Sequence, residues 1–477
     1  MRRRPESQSS SLATGARAGD PQRRGATLVL FAFLVVALLA MVAFGVDTGY
    51  ILHIKTELKR AADAGALAGA GRLVDGEAEA VAEITQFVQM NLVGQEQVQG
   101  GDLQVEFGDW DEAAKVFTPG AEVPSAVRVR LERNDQPLFF GRVFGREMFD
   151  TQAESIAMYQ PRDIMLVLDY SGSMNDDSEL RSISTIGQSN VEANLAQIYT
   201  ELGAPTFGNM QWTPVHISSN DDNFVLNQLG LNGVPYPYPG GSWLDYINYV
   251  QGSGYINAAG YQKDYGYLTW VNYLLERKPK SNETPDLWQT SEQPVTQVKN
   301  AVTIFLAYMQ QVETDDRVGL SLYNSVAQTS VLESELTNDY AVIANIAQQR
   351  QAGHYDVWTN IGSGMQTART ELENNARPGA FRMMILMTDG IANKPTDTTV
   401  ARQFVLDEAA LAAAAGIPIV TISLGVNADA ALMQSVADIT NGVHFNVPGG
   451  EGVLQYEEQL EDVFKEVADD RPLKLVQ

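Results

Sequence analysis

Cysteine is absent from this chain of 477 residues, and histidine occurs only at His53, His216, His354 and His444. The absence of cysteine excludes disulfide bonds, thiolate zinc sites and cysteine nucleophiles. Four histidines scattered along the chain also disfavour a metal site built from histidine alone. The lack of cysteine does not by itself fix the cellular compartment.

Basic residues are scarce as well, since 33 Lys and Arg stand against 59 Asp and Glu, which gives a formal net charge of −26. The first 60 residues carry nine basic and four acidic residues, so residues 61–477 hold a charge of −31. Such a surface repels nucleic acid and anionic membrane surfaces, and nucleic acid is not an expected partner. The hydrophobic fraction of 44% is typical of a folded protein, and the length predicts two or three domains.

One stretch near the N-terminus lacks charge entirely. It runs from Ala26 to Val46, and its 21 residues in a helix match a hydrocarbon core of about 30 Å. A buried core helix or a cleavable signal peptide would share this apolar character. Because the apolar region of a signal peptide has only about 7–15 residues, the length favours a single retained transmembrane helix.

The charges on either side of this stretch predict its orientation. Residues 1–22 are rich in Arg, Ser, Gly and Gln and are expected to form a disordered tail. Asp47 follows the apolar stretch, and six arginines precede it: Arg2, Arg3, Arg4, Arg17, Arg23 and Arg24. The positive-inside rule therefore predicts a single-pass protein of the cytoplasmic membrane, with a cytoplasmic N-terminus and its main domains outside the cytoplasm.

A helical pattern continues beyond the span to about residue 72. Apolar or small residues recur at alternating spacings of three and four, at Ile51, Ile54, Leu58, Ala61, Gly65 and Ala68. Nine of the eleven residues in 61–71 are Ala or Gly, which allows another backbone to approach closely. This seam is suited equally to packing against the chain's own next domain and to packing against a helix of a partner.

Three short motifs link this region to a known family. Arg23-Arg24-Gly25 precedes the span, Val46-Asp47-Thr48-Gly49 ends it, and an alanine-glycine run occupies 61–70. Together they resemble the N-terminal region of TadE/TadG-like Flp pilus-assembly proteins. The resemblance assigns residues 23–72 to a transmembrane helix with a helical extension, and implies contact with other pilus-assembly or pseudopilin-like subunits through residues 50–70. Pilin-like processing after Gly25 would call for Glu five residues later, but Leu30 stands there, which favours a permanent anchor.

Residues 73–160 differ from the helix before them. Short alternating segments at Leu103–Phe107, Ala126–Leu131 and Thr151–Ala157 are separated by Gly, Pro, Asn and Asp. These are strand and turn signals, and they predict a small α+β spacer that is mainly β-rich. The spacer contains no grouping of residues that suggests chemistry.

From residue 161 to residue 470, apolar strand patterns alternate with helical ones. The strand candidates are residues 163–169, 318–323, 381–389, 417–425 and 443–447, and the helix candidates are residues 295–312, 340–351, 361–374, 398–415 and 428–440. This alternation predicts an α/β fold, with a doubly wound, mainly parallel, Rossmann-like sheet that has helices on both faces.

Ligands of such sheets bind beyond the carboxyl ends of the strands. Asp169, Ser171 and Ser173 follow the first strand, and Asp389 ends another. Thr359 begins a helix, where its hydroxyl could face the same crevice. These five residues are therefore the candidate functional residues of this edge.

The same five residues resemble the metal-ion-dependent adhesion site of von Willebrand factor A (VWA) domains. They form a DxSxS motif at 169–173, a Thr in Thr-Asn-Ile at 359, and an Asp in Thr-Asp-Gly at 389. The resemblance covers residues 160–468, and it implies direct coordination by Ser171, Ser173 and Thr359, with Asp169 and Asp389 binding the metal or its waters.

Two carboxylates and three hydroxyls suit Mg²⁺, which prefers oxygen ligands and few carboxylates; Mn²⁺ or Ca²⁺ would also be compatible. Because the protein neutralises little of the charge, the cation could accept an acidic side chain from a protein ligand. The alternative is a site that stabilises the domain and binds no partner.

An insertion at 175–293 interrupts this domain, because the next clear helical pattern after the DxSxS motif begins only near Val295. Residues 236–273 contain nine of the chain's 18 tyrosines and two of its six tryptophans. Such aromatic clusters occur at recognition surfaces, so the insertion could select the ligand. Alternatively, the aromatic residues form the insertion's own core or a lid.

These features predict a membrane-anchored, divalent-cation-dependent binding or adhesion protein linked to Tad/Flp pilus assembly or surface attachment. An enzyme is not expected, because the sequence contains no GxSxG, HExxH or phosphate-loop motif. Two alternatives are a structural surface protein with a relict metal site and a VWA partner of an ATPase, the latter disfavoured by the predicted outward topology.

Overall fold

The computed structural model describes residues 21–73, 76–111, 114–121, 124–311, 316–324, 331–377, 380–425, 427–447, 453–469 and 473–476. The predicted disordered tail therefore lies outside the described residues, except for Pro21 and Gln22, which begin the first helix. The chain divides into two compact units. One contains the described parts of residues 1–109, 117–158 and 475–477, and the other contains those of residues 110–116 and 159–474.

The N-terminal unit combines two helices with an antiparallel sheet. Its helices are α1 (Pro21–Arg72) and α2 (Glu77–Met90), and its strands are β1 (Leu92–Val93), β2 (Glu96–Gln97), β3 (Leu103–Asp111), β4 (Val116–Pro119), β5 (Ala126–Pro137) and β6 (Met148–Tyr159). A sheet of five strands is ordered β6-β5-β3-β4, with the C-terminal strand Leu473–Leu475 beside β6. The three strand segments expected in the spacer lie within β3, β5 and β6.

The first half of α1 exposes its apolar side chains. Leu28 is 73% exposed and Phe31 is 66% exposed, and a window of the helix with mean hydropathy 3.0 is only 6% buried. By length and composition this helix could cross a membrane. It is a candidate transmembrane span that fits a membrane-anchored protein.

The small-residue seam in the second half of α1 packs against α2. A Cβ placed on Gly65 would lie 2.6 Å from the Val88 side chain, and one placed on Gly69 would lie 2.5 Å from Ile84. Ile54, Leu58, Ala61, Ala62 and Ala66 are fully buried in the same core, together with residues of β5. Of the two alternatives that the sequence leaves open, the structure shows packing within the chain.

The C-terminal unit contains the predicted doubly wound α/β sheet. Its strands are β7 (Arg162–Leu168), β8 (Val215–His216), β9 (Asp264–Tyr265), β10 (Arg317–Leu322), β11 (Val331–Thr337), β12 (Phe381–Thr388), β13 (Ile419–Leu424) and β14 (His444–Val447). Six of them form one sheet in the order β11-β10-β7-β12-β13-β14. All neighbours in it are parallel except β10 and β11, so the predicted α/β fold with a mainly parallel sheet is confirmed.

Strand β11 is absent from the sequence prediction. Its sequence, VLESELT, contains three polar or acidic residues in its centre and lies at the edge of the sheet. An edge strand needs no continuous apolar run, and charge at this position discourages pairing with another chain. The apolar pattern that marks the central strands is therefore missing here.

Helices cover both faces of this sheet. The insertion contributes α3 (Ile183–Ile186), α4 (Gln188–Glu201), α5 (Asp222–Gln228), α6 (Trp243–Gly252), α7 (Gly254–Ala258) and α8 (Tyr267–Arg277), which form a core of their own. The helices that cover the sheet are α9 (Val295–Gln311), α10 (Tyr340–Gln348), α11 (Ile361–Asn375), α12 (Thr398–Ala414), α13 (Ala430–Thr440) and α14 (Val453–Asp469). Ile164, Leu166 and Leu168 pack with α9, α10 and α14, whereas Met165 and Val167 pack with α11, α12 and α13. Alternate residues of β7 thus serve two cores, as a strand buried on both faces requires.

The insertion contains six helices, although the sequence prediction has no clear helical pattern between the DxSxS motif and Val295. Helix α4 buries only Val191, Leu195 and Ile198, a thin stripe in a polar sequence. Helix α8 buries every residue from Tyr267 to Leu275, including the polar Thr269 and Asn272. The buried residues of α4 are four and three positions apart, which is the spacing of a helix, so the sequence carried a helical signal that the prediction did not use.

A buried arginine connects the start of the sheet to the last helix. The guanidinium of Arg162 is fully buried and donates to Asp316 Oδ2 from Nη2 at 3.0 Å. It also donates to the carbonyl oxygens of Val467 at 2.9 Å and Ala468 at 3.1 Å. One side chain thus joins β7, the residue before β10 and the end of α14.

Replacing Arg162 with Met should lower the free energy of unfolding of the C-terminal unit by about 3–5 kcal/mol, because Asp316 keeps its buried charge without this partner. Urea unfolding followed by tryptophan fluorescence measures the change. Arg162→Met combined with Asp316→Asn should recover part of the loss, since the buried charge is then gone. Lys465→Met, which breaks the exposed pair of Lys465 with Glu461, is the control and should change little. Equal losses in both single variants would contradict the role of Arg162.

Candidate metal centre

The five predicted ligands meet at the carboxyl edge of the sheet. Asp169 and Ser171 follow β7, and Ser173 lies in the 3₁₀ helix Gly172–Ser178 that comes next. Asp389 directly follows β12, the parallel neighbour of β7, and Thr359 lies two residues before α11. The strands of this sheet therefore bring together residues that are up to 220 positions apart in the sequence.

The hydroxyl and carboxylate oxygens form a connected set. Ser171 Oγ lies 3.0 Å from Ser173 Oγ, and Ser173 Oγ donates to Asp389 Oδ1 at 2.7 Å. A Cβ placed on Gly390 would lie 3.4 Å from Ser173 Oγ and 3.7 Å from Thr359 Oγ1, so both hydroxyls face the same small space. A side chain at position 390 would intrude into that space.

Asp169 is held behind this set by two hydrogen bonds. Its Oδ1 accepts from the Ser171 backbone N–H at 2.8 Å, and its Oδ2 accepts from the Thr388 hydroxyl at 2.9 Å. The first bond closes the turn after β7, and the second joins the ends of β7 and β12. Asp169 thereby fixes the loop that carries both serines.

Both carboxyl groups are buried without a basic partner. The exposed fractions of Asp169 and Asp389 are 0% and 7%, and neither forms an ion pair with a basic side chain within the described ranges. Burial raises the pKa of Asp169, and burial together with the charge of Asp169 raises the pKa of Asp389. The site is thus a desolvated acidic pair that a cation would stabilise.

The donor set fits a hard divalent cation. Two carboxylates and three hydroxyls offer oxygen atoms alone, which Mg²⁺, Mn²⁺ and Ca²⁺ accept. In the part of the chain that the structure describes, no group of three or more His, Cys, Asp or Glu side chains could hold a metal ion. A cation at this edge would therefore depend on Ser171, Ser173 and Thr359 as well as on the carboxylates.

Two further acidic residues, absent from the sequence prediction, line the same cleft. Asp176 and Asp177 lie in the 3₁₀ helix after Ser173, and burial raises the pKa of each to about 6. Their charges also raise the pKa of Asp389. The signal was available in the sequence, because the pair Asp176-Asp177 follows the DxSxS motif by only three residues.

The cleft above the site has a volume of about 350 Å³. The sheet side contributes Thr359, Asp389, Gly390 and Asn393, whereas the insertion contributes Thr185 and Ile186. Asn393 also supports the site, because its Oδ1 accepts from the Thr359 backbone N–H at 3.0 Å. The insertion is therefore one wall of the space through which a ligand would approach.

The aromatic residues of the insertion form its own core rather than this wall. Tyr246, Tyr265 and Trp270 are fully buried, and Trp243 and Tyr273 are at most 5% exposed. These rings pack in one cluster with the aliphatic residues of α4 and α8. The self-packed alternative thus describes these aromatic residues, and the insertion meets the cleft through other side chains.

Family models match three parts of the chain. Residues 288–459 match the von Willebrand factor type A domain, residues 25–72 match the TadE/G-like Flp pilus-assembly region, and residues 68–157 match a second Tad-like Flp pilus-assembly model. The chain carries a VWA domain and a Tad-like region. The resemblances to VWA domains and to TadE/TadG-like proteins are confirmed, whereas the resemblance to the metal-ion-dependent adhesion site stays a prediction; the spacer also proves to be Tad-like, which its sequence did not reveal.

Solved structures with VWA domains are also similar to the chain. A von Willebrand factor type A protein from Catenulispora acidiphila is 10% identical, with 77% of this chain and 48% of that chain covered and a TM-score of 0.31. The pilus adhesin SpaC from Lactobacillus rhamnosus GG is 14% identical, with 77% and 34% covered and a TM-score of 0.32. Proximal thread matrix protein 1 from the mussel byssus, with a zinc-occupied MIDAS motif, is 14% identical, with 66% and 98% covered and a TM-score of 0.30.

At such identities and TM-scores, these structures carry no argument about what the VWA domain binds. The first is described only as a VWA protein, and this chain spans about half of its length and a third of the pilus adhesin. No curated protein matches the chain.

The VWA family match begins at residue 288, near the end of the insertion, and so omits the DxSxS motif. Strand β7, which leads into Asp169, pairs in parallel register with β10 on one side and β12 on the other. The central strand of the VWA sheet and the loop with both serines are therefore supplied from before the insertion. The insertion divides the site in sequence but not in space.

A histidine lies in the loop that supports the serine loop. Gly353 N–H donates to the Tyr170 carbonyl at 2.7 Å, and the neighbouring His354 has no hydrogen-bond partner for Nδ1 in the described chain. Burial and repulsion by Arg350 lower the pKa of His354 to about 4, against the attraction of Glu333. The folded protein therefore resists protonation of this ring.

The His354 pKa predicts a loss of stability in acid. Since the folded pKa lies below the unfolded value of about 6.5, the contribution is present above pH 6.5 and is lost as the pH falls toward 4. We expect a loss of about 2 kcal/mol from this group, because its partial exposure reduces the full effect. Urea unfolding at several pH values gives the free energy of unfolding as a function of pH. Between pH 6.5 and 4 this free energy should fall less steeply for His354→Gln than for the wild type. Parallel curves for the two proteins would contradict the assignment.

Proposed function

We propose that the chain is a membrane-anchored, divalent-cation-dependent binding protein of a Tad/Flp pilus-assembly or surface-attachment system. One observation supports this most directly: two buried carboxyl groups and three hydroxyls converge at the carboxyl edge of the VWA sheet, with no basic partner among the described residues. Desolvated carboxylates without a counter-charge are costly, so a cation is the natural complement.

The proposed ligand contact follows from the charge of the site. Ser171, Ser173 and Thr359 would hold the cation together with Asp169 and Asp389, by the VWA resemblance. A Mg²⁺ ion held by so few charges supplies a position for a carboxylate oxygen of a protein ligand. Asp176 and Asp177 at the cleft would repel that carboxylate. Attraction of an acidic partner would therefore depend on the cation.

We propose binding rather than catalysis. The described residues that line the cleft include no His, Lys or Cys that could activate the serine or threonine hydroxyls. Ser173 Oγ donates to Asp389, which orients its hydrogen toward a carboxylate that a cation would share. The hydroxyls are thus placed as ligands and not as nucleophiles.

The membrane topology belongs to the same proposal. The apolar half of α1 would cross the cytoplasmic membrane, with the arginine-rich N-terminus inside and the VWA domain outside the cytoplasm. Other pilus-assembly subunits would meet residues 50–70 of α1 on the face away from α2, where Leu52, Lys55, Thr56 and Arg60 are exposed. The buried seam is already filled by the chain itself.

Titration with Mn²⁺, followed by its EPR signal, should show one saturable site that Asp389→Asn removes or weakens at least tenfold. Saturating Mg²⁺ at about 100 times Kd should stabilise the wild type by about 2.7 kcal/mol, and the variant should not respond. Because Asp389→Asn removes a buried charge, the variant without cation should be at least as stable as the wild type. A weaker fold is then excluded as the reason for lost binding.

The matched control is Asp438→Asn, which neutralises an exposed carboxylate on α13 that accepts from Gln434. It should bind Mn²⁺ as the wild type does. A folded wild type that binds neither Mn²⁺ nor Mg²⁺ would overturn the proposal and favour a structural protein with a relict site.

The proposed topology predicts the labelling of single cysteines, which is unambiguous because the chain has no native cysteine. In intact spheroplasts, a membrane-impermeant maleimide should label Thr118→Cys, at an exposed position, and should label Ser9→Cys only after permeabilisation. The reverse pattern would place the VWA domain inside the cytoplasm and would favour the alternative of an ATPase partner.

A further inference from the structure

The loop between β5 and β6 exposes a group of large apolar side chains. Its residues 138–148, called here the aromatic loop, contain five of them: Phe139 (67% exposed), Phe140 (43%), Val143 (75%), Phe144 (50%) and Met148 (52%). Isolated apolar residues on a surface are normal, but a contiguous group marks a contact with another apolar phase or partner. Leu138, at the start of the loop, packs against the hydrophobic core of the N-terminal unit, whereas the five exposed side chains belong neither to that core nor to the cation site.

The aromatic loop is fixed to α1 where the apolar stretch ends. Asp47 Oδ1 accepts from the backbone N–H groups of Phe139 at 2.9 Å and Phe140 at 3.1 Å. The rings of Phe44 and Phe144 are 6.5 Å apart, and those of Tyr50 and Phe139 are 5.0 Å apart. Asp47 is the first charged residue after Ala26–Val46, so the loop is attached to the helix at the level where that helix would leave the hydrocarbon.

The backbone holds the loop in this shape. Leu138 N–H donates to the Glu147 carbonyl at 2.9 Å, and Arg146 N–H donates to the Gly141 carbonyl at 3.0 Å. Gly145 adopts φ +79°, a conformation that glycine accepts without strain. The exposed side chains are therefore carried by an ordered turn, so a contact would cost little conformational entropy.

The surroundings of the loop favour lipid as its partner. Met41 (72% exposed) and Phe44 (64% exposed) belong to the apolar stretch of α1, and Phe44 touches Phe144, so the two exposed apolar surfaces are continuous. Arg142 and Arg146 are exposed, and Arg142 pairs with the exposed Glu147 of the same loop at 3.2 Å. Arg146 is therefore the basic side chain of the loop that is placed to reach phosphate groups while its stem remains in the apolar layer. Aromatic residues are enriched at the same depth in membrane proteins.

We propose that the aromatic loop inserts into the interfacial layer of the membrane that α1 crosses, as a second membrane contact of the N-terminal unit. A single helix leaves a domain free to rotate and tilt, whereas a second contact beside the helix restricts both motions. This inference rests on membrane anchoring by α1 and is independent of the cation site. It could therefore hold if the proposed binding function failed.

A single spin label can test the depth of the loop, because the full chain contains no other thiol. Val143→Cys places the nitroxide on the most exposed position of the loop, and Phe139→Cys provides a second position. Thr118→Cys on β4 is the control. Thr118 lies near Gly108, and Gly108 pairs with Ala126 at the start of β5. The aromatic loop follows Pro137 at the other end of this 12-residue strand, so the strand length separates the control position from the loop by roughly 35 Å.

The full chain is placed in nanodiscs of phosphatidylcholine and phosphatidylglycerol, with one protein per disc so that no second copy is present. Power-saturation EPR then compares the accessibility of each label to oxygen, which enters lipid, and to a water-soluble nickel chelate. We expect a ratio of oxygen to nickel accessibility several-fold higher at positions 143 and 139 than at 118.

Two outcomes would overturn the proposal. Equal ratios at positions 143 and 118 would mean that the loop stays in water. Labels at 143 and 139 that are shielded from both reagents, in discs and in detergent alike, would mean that protein covers the loop. Loss of Mn²⁺ binding in any labelled variant is a separate readout and does not bear on the depth of the loop.

Discussion

Two carboxyl groups buried side by side, without a basic partner among the described residues, set the main constraint on the C-terminal unit. Like charges in a protein interior with an effective dielectric of about 20 repel by a few kcal/mol at short range. Asp169 and Asp389 are nevertheless placed at the ends of the adjacent parallel strands β7 and β12. Their geometry depends on hydrogen bonds from Ser171, Ser173 and Thr388, so the serine loop is ordered by the same groups that make the site acidic.

This arrangement explains which parts of the site the sequence could predict. Asp169 and Asp389 follow apolar runs that only a strand buried on both faces would show, and parallel strands place such residues at a common edge. The supporting groups carried no comparable signal. Asn393 acts through its side-chain amide oxygen and Gly353 through its backbone N–H, both in loops, where contacts are set by the fold and not by a local period. Asp176 and Asp177 had a signal in their spacing, but a pair of acidic residues in a polar segment is also typical of a solvated loop.

Burial also explains which elements of the fold could be predicted. The central strands were predicted from continuous apolar runs and the helices from apolar residues at helical spacing, because burial selects these patterns. Edge strand β11 was not predicted because it is half-exposed and polar. The insertion helices α4 and α8 were not predicted either, although the buried residues of α4 have a helical spacing. The aromatic segment of the insertion showed a strong composition, but composition cannot distinguish a recognition surface from a core. Only the burial of Tyr246, Tyr265 and Trp270 decides between them.

The small-residue seam of α1 illustrates a related ambiguity, and its resolution constrains how the N-terminal unit can meet other proteins. Glycine and alanine at a helix surface permit a close approach but do not specify the partner. Here Ile84 and Val88 of α2 occupy the space over Gly65 and Gly69, so the side chains that fit the seam come from the same chain. From Leu28 to Val46 the exposed side chains of α1 are apolar, and those after Asp47 are largely polar. Asp47 therefore marks the change from a surface suited to lipid to one suited to water, and it is also the residue that holds the aromatic loop. A substitution there would disturb both the boundary and the loop, since a single carboxylate accepts the two backbone N–H groups that attach the loop to the helix.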